Sequence, residues 1–219
     1  MHTASDAFLD ALASAGVSYL FANFGSDYPA MLEALATAAA TGRRVPQLVT
    51  CPAEMVALSA AQGAAQATGR AQAVLVHVEC GTQALGGAIH NVARARTPVL
   101  IFAGASPFTQ AGELPGSRNE FIHWLQDVRD QRGIVRGYVK YDNEIRTGKN
   151  VKQLVHRALQ IAASEPAGPV YLVGAREVME EPLEPHSLDP RAYRPVEPAA
   201  LTQPIADEIA AALAGRGTR

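Results

Sequence analysis

Short apolar runs alternate with alanine-rich amphipathic stretches along most of the chain, the pattern of β–α units around a parallel sheet. Thr3 with Asp6 fits a capping box, and Phe8, Leu9, Leu12 and Ala15 line one face of a helix that stops at Gly16. Residues 17–22 read as the first strand. Pro29 suits the first turn of a second helix, which runs towards Ala40 and ends at Gly42 before a strand over 45–50. Pro52 opens a third helix that closes at Thr68-Gly69. Residues 73–78 form a near-continuous apolar run, as a strand buried on both faces should. A helix over 82–96 and a buried strand over 99–103 follow. The fold class predicted is α/β, an open parallel sheet with helices on both faces.

Beyond Gly104 the regularity fades. Residues 105–117 carry Pro107, Gly112, Pro115 and Gly116 and read as a long loop, a kind of segment that is usually functional in compact domains. A helix over 119–131, a strand over 137–141, a helix over 151–163 and a last apolar strand over 169–173 complete the pattern. Prolines at 182, 185, 190, 195, 198 and 204 then break regular structure and mark a linker. Residues 202–214 read as one further amphipathic helix. We therefore expect a sheet domain over 1–178, with 179–219 as linker and lone helix, the start of a missing central domain. No internal repeat is present.

Composition narrows the function. Nineteen Lys and Arg against twenty-one Asp and Glu leave a formal charge of −2, so no basic field attracts nucleic acid or an anionic membrane. With 48% hydrophobic and 18% charged residues the chain has a packed core rather than disorder. The two cysteines, Cys51 and Cys80, have neither zinc spacing nor the numbers of a disulfide scaffold, which suits a reduced cytoplasmic compartment. The N-terminus lacks a signal-peptide pattern, and no run approaches the ~20 apolar residues of a membrane span.

Three turns carry candidate chemistry. Gly25-Ser26-Asp27 follows the first strand and precedes a helix, where an open α/β sheet binds ligands. The turn holds neither the dinucleotide fingerprint nor a P-loop, and an ordinary βα turn is the competing reading. Glu54 stands in the first turn of the third helix. It serves there either as a plain complement to the helix dipole or, because apolar neighbours favour the neutral form of a carboxyl, as a hydrogen-bond donor. The third turn carries Gly81, Thr82 and Gln83. Gly81 would let a ring approach the backbone, and Thr82 is equally a helix N-cap. Cys80 has no base beside it, so a catalytic thiol is disfavoured. His77, His90 and His156 read as structural, whereas Phe121 and His123 near the long loop are candidates to line a substrate site. The basic residues between Arg129 and Lys152 are interleaved with acids, the pattern of a solvated or subunit-facing surface.

In combination these blocks resemble the N-terminal, pyrimidine-binding domain of thiamine-diphosphate enzymes of the acetolactate synthase and pyruvate decarboxylase-like group. Gly16-Val17 through Leu20-Phe21 to Gly25 is similar to the family's opening "GV..VFG.PG". Glu54-Met55-Val56-Ala57 through Thr68-Gly69 resembles its "E..A...A.GYA..TG", and Gly81 through Thr97-Pro98 to Gly104 its "GPG..N...G...A.....PVL.I.G". Gly168-Pro169-Val170 resembles the closing "GPV.L.IP.D". The match runs from residue 4 to about 178, with departures at Ala53, Ala64, Cys80 and Ala84.

The resemblance implies that Glu54 hydrogen-bonds a ring nitrogen of the cofactor's aminopyrimidine and favours the imino form that removes the thiazolium proton. It implies further cofactor contacts from Gly25, Ser26, Asp27, Gly81, Thr82 and Gln83. The expected activity is decarboxylation or carboligation of a 2-keto acid by thiamine diphosphate. The family's diphosphate domain has no counterpart in these 219 residues. Mg2+ and the diphosphate are thus expected on a partner domain, reached through a homodimer of the α/β domain or a diphosphate-domain-bearing chain, and no metal on this chain. The alternative is a non-catalytic association module that retains the fold.

Overall fold

Thr3 caps the first helix as its spacing predicts. Its Oγ1 accepts the Asp6 backbone N–H at 3.4 Å, and the Asp6 carboxylate accepts the Thr3 N–H at 2.9 Å, so helix α1 spans Ala4–Ser14. The computed structural model describes residues 2–215. Strands β1 (Tyr19–Ala22), β2 (Gln47–Thr50), β3 (Gln72–Val76), β4 (Val99–Ala105), β5 (Asp142–Ile145) and β6 (Val170–Ala175) form one sheet in the order β2-β1-β3-β4-β6-β5. Every neighbouring pair is parallel.

Strand alternation divides the core between two faces. Ala73 and Leu75 of β3, with Leu100 and Phe102 of β4, pack against α1, α2 (Pro29–Thr41) and α7 (Val151–Ala163). Val74, Val76, Ile101 and Ala103 point the other way, onto α3 (Glu54–Thr68) and α5 (Gly86–Arg94). Both clusters are buried, so β3 and β4 are apolar at successive positions, as the continuous runs in the sequence require.

The structure differs from the pattern reading where polar or exposed residues break its logic. The helix expected over 82–96 is two helices: α4 (Val78–Gln83) begins almost at once after β3, and the chain breaks before α5, where Gly86 takes φ 44°. The strand expected over 137–141 lies at Asp142–Ile145, where Asp142 pairs with Tyr171. It is one of the two edge strands, and its residues Asp-Asn-Glu-Ile have no apolar signature. Of the helix expected over 119–131 only α6 (Ile122–Leu125) forms, followed by a 3-10 turn at Arg132–Ile134. Phe121, Trp124 and Leu125 are exposed, so this stretch has no apolar face against the core to extend it.

After β6 comes α8 (Arg176–Met179), and the chain then runs through the proline-rich stretch, where Tyr193 packs on the ring of His156. The last described element, α9 (Gln203–Ala214), buries none of its residues, and Ile205, Ile209 and Leu213 are exposed along it.

Candidate functional site

The chain leaves β1 for β2 through α2 on one face and returns through α3 on the other to β3, on the far side of β1. Connections therefore diverge at the carboxyl ends of β1 and β3, the place where an open α/β sheet forms its ligand crevice.

Tyr28 anchors the turn after β1. It is buried, and its hydroxyl donates to the Val76 carbonyl at 2.7 Å, with the Phe102 carbonyl at 3.2 Å. Burial, then the nearby Asp27, pushes its phenol well above the usual value, so it remains a neutral donor.

Asp27 is buried beside it. Its Oδ1 lies 2.6 Å from His77 Nδ1, and its Oδ2 accepts the Val78 N–H at 3.3 Å. That hydrogen bond raises the His77 imidazole above its ordinary value against the opposing cost of burial, and the charges of Asp27, Glu79 and Glu54 add to the rise. Two glycines make room for the pair. A Cβ on Gly25 would overlap the His77 ring, and one on Gly104 would overlap the Asp27 carboxylate. Val78 holds φ at 29°, rare for a β-branched residue, and the Asp27 contact to its N–H helps to fix that strained turn.

Glu54 opens α3 from an extended Ala53 that lends no side-chain cap. It is half-buried, and no hydrogen bond or ion pair engages its carboxylate among the described residues. Gly81 faces it: a Cβ there would stand 3.1 Å from Glu54 Oε1 and 3.2 Å from the Val76 carbonyl carbon, so only glycine leaves both undisturbed. Met55 and Val56 are exposed, which corrects the expectation of an apolar enclosure around Glu54; this chain leaves that side open. Glu79 is buried, and burial lifts its carboxyl above the ordinary range. Cys80 is exposed on α4, its thiol pushed up by partial burial and then by Glu79, the reverse of an activated thiolate.

The remaining candidates separate. Ser26 and Gln83 are exposed at the same edge. Thr82 is neither an N-cap nor open to a ligand: it lies inside α4, buried, and donates to the Val78 carbonyl at 2.6 Å. With that proton committed, the Tyr171 hydroxyl donates to Thr82 Oγ1 at 2.7 Å and accepts from Gln131 Nε2 at 3.0 Å. Burial pushes the Tyr171 phenol up to about 12, so it stays a donor. Phe121 is 77% exposed. His123 is buried instead of lining open space; its Nδ1 accepts the Asn119 N–H at 3.3 Å, and burial, then Arg176, holds its imidazole below the usual value.

His77 and Glu79 are the site residues that the sequence reading passed over. The signal was that His77 is the one polar residue within the apolar run 73–78, and the structure ends the strand just before it, at Val76. Among the described residues no group of three or more His, Cys, Asp and Glu is placed to hold a metal ion, and no helix is long and apolar enough to cross a membrane.

Residues 2–134, more than half of the chain, match the family model described as thiamine pyrophosphate enzyme, N-terminal TPP binding domain. Two solved structures share the architecture. One is a thiamine diphosphate-dependent 4-hydroxybenzoylformate decarboxylase of Rhodococcus jostii RHA1, at a TM-score of 0.73 and 21% identity, covering 97% of this chain and 37% of that one. The other is a benzoylformate decarboxylase from Polynucleobacter necessarius, at a TM-score of 0.68 and 20% identity, covering 85% of this chain and 32% of that one. The chain thus spans about a third of the length of the solved enzymes that it matches.

Proposed function

The chain belongs to the N-terminal TPP-binding domain family of thiamine pyrophosphate enzymes, and from that premise we propose that it is the pyrimidine-binding half of a 2-keto-acid decarboxylase or carboligase. The observation that carries this reading is the Glu54 carboxylate set against Gly81. The missing Cβ of Gly81 leaves room for the Glu54 carboxylate, which keeps its oxygens free to meet a nitrogen heterocycle.

When bound, thiamine diphosphate supplies the carbanion chemistry. Glu54 would hold a proton at a pyrimidine nitrogen, and Gly81, with no Cβ, would leave the carboxylate in place to do so. His77, held through Nδ1 by Asp27, keeps Nε2 for proton exchange with a bound substrate at the crevice between β1 and β3. Ser26, Gly25 and Gln83 complete the rim. The diphosphate and Mg2+ would be held by a diphosphate-binding domain, brought by another chain or by more of a longer one, in a dimer built through the α/β domain. In this reading residues 1–178 are the pyrimidine-binding unit and 179–219 lead into a further domain. The unpaired Cys51 and Cys80 suit a reduced cytoplasmic setting. Acetolactate-type carboligation is the finer possibility within the same chemistry.

The experiment is reconstitution. Mixed with a diphosphate-binding domain of this family, the chain should bind thiamine diphosphate with Mg2+ and release carbon dioxide from a 2-keto acid such as benzoylformate or pyruvate. Cofactor binding without turnover on any 2-keto acid would favour a non-catalytic association module.

A further inference from the structure

Away from the crevice, the proline-rich segment that leaves the sheet is fastened along α7 at every fourth position. Lys152 Nζ donates to the His186 carbonyl at 2.7 Å, and the His156 ring meets that of Tyr193 at a centroid distance of 5.5 Å. Gln160 Nε2 donates to the Arg194 carbonyl at 2.6 Å, and Ser164, the C-cap of α7, accepts the Val196 N–H at 2.9 Å. Four-residue spacing puts these groups in one row. The segment 185–196 joins no strand of the sheet, and within it only Leu188 and Tyr193 are half-buried. Pro185, Pro190 and Pro195 have no N–H with which to bind it further. It is a seated strap with few fastenings, the kind of segment that opens before the core does.

His156 is buried in the middle of this row, between Tyr193 of the strap and Ser14 of α1. Ser14 Oγ donates to the Ala11 carbonyl at 3.1 Å, so it accepts from His156 Nε2 at 3.2 Å, and the neutral ring keeps its proton there. Nδ1 engages no partner among the described residues and is the atom left for a second proton. Cavities of about 490 and 460 Å³ flank the ring beneath the strap and give that proton a path. The charges facing the ring do not balance. Lys152 and Arg157 stand on α7, with Arg157 at 5.0 Å over the Tyr193 ring; His186 and Arg194 come from the strap, and Arg70 from the turn after α3. Asp10 of α1 is the one carboxylate lining either cavity, and Arg43 at 2.6 Å and Lys152 at 3.4 Å already share it. Burial, then Lys152, holds the imidazole below its ordinary value.

We propose that residues 185–196 are a proton-released strap: a second proton on His156 places an imidazolium among cations beneath Tyr193, and lifting the strap off α7 lets water solvate it. The strap carries the chain to α9, so its release frees α9 from α7 while the sheet stays intact. Because the seated ring binds a proton less readily than a solvated one, seating is fully present above the solvated imidazole value of about 6.5 and weakens as pH falls below it. The device stands apart from the Asp27–His77 crevice and does not depend on the thiamine reading.

The test measures NMR order parameters for the backbone amides of Leu188, Tyr193, Arg194 and Val196 in the full chain between about pH 7.5 and about pH 5, with the amides of β3 and β4 as the reference for the sheet. Values of roughly 0.85 at the higher pH should fall below about 0.6 at the lower, with a midpoint under about 6.5, while the sheet amides hold. The fall should track the titration of the His156 ring in the same sample. His156→Phe keeps a ring against Tyr193 and cannot titrate, and should leave the strap rigid at both ends of the range. Tyr193→Ala should leave it mobile at both. A wild-type strap that is rigid throughout, or mobile throughout, overturns the proposal. So does a loss of order that departs from the His156 titration, that persists in His156→Phe, which retains His186, or that the sheet amides share, and so does a strap that Tyr193→Ala leaves rigid.

Discussion

His77 Nδ1 and Asp27 Oδ1 meet at 2.6 Å across the carboxyl ends of β3 and β1, each backed by a glycine that could carry no side chain without displacing it. The pair joins the two strands between which the chain reverses its winding, and it stands in the same acidic neighbourhood as Glu54 and Glu79.

The contact sets a pH dependence. The hydrogen bond that the His77 ring donates to Asp27 raises the folded-state value of His77, so its stabilisation is complete below the unfolded imidazole value of about 6.5. It is lost as pH rises through the higher folded value. An imidazole NMR titration of His77 should show a midpoint above about 6.5, and Asp27→Asn should bring it down. A wild-type midpoint at or below the unfolded value contradicts the assignment.

Gly104→Ala tests the packing behind the pair. The added methyl overlaps the Asp27 carboxylate, and such overpacking costs about 1–3 kcal/mol. Denaturant unfolding should record that loss, together with a lowered His77 midpoint. Unchanged stability would show that Asp27 has another place to go.

Much of this was legible in the sequence. The runs that became β3 and β4 carry apolar residues at consecutive positions, which only a strand covered on both faces demands, and Thr3 with Asp6 announced α1. The edge strand Asp142–Ile145 was missed because its polar residues need to satisfy only one paired side. The stretch around Phe121 and Leu125 misled because amphipathic spacing promises a helix only where something covers the apolar face. Glu54, Asp27 and Gly81 were readable as turn residues, but the coupling of Asp27 to His77 spans fifty positions and appears only once β1 lies beside β3. Thr82 was misplaced by a few residues: with α4 starting at Val78, its hydroxyl turns inward to Tyr171.

Thr82→Val separates a structural from a ligand-binding role. It is nearly isosteric and removes the acceptor of the buried Tyr171 hydroxyl, a loss of about 1–3 kcal/mol. Unfolding should report it, while thiamine diphosphate affinity in a reconstituted complex should stay unchanged. A selective loss of cofactor affinity would return Thr82 to the binding site.

Isolated, the chain should bind thiamine diphosphate with Mg2+ weakly or not at all by calorimetry, because the proposal assigns the charged end of the cofactor to another domain. Micromolar binding, about −8 kcal/mol, would reveal a phosphate site on this chain.

The most direct measurement concerns Glu54. In a complex with a diphosphate-binding domain, hydrogen–deuterium exchange at the thiazolium C2 of bound thiamine diphosphate isolates the proton transfer that Glu54 is proposed to assist. Glu54→Gln should fold normally, since losing a first-turn carboxylate costs well under about 1 kcal/mol. It should slow exchange by about 100-fold or more, as expected when a positioned acid–base group is lost. Exchange at the wild-type rate in that variant, with cofactor still bound, would contradict the central role given to Glu54.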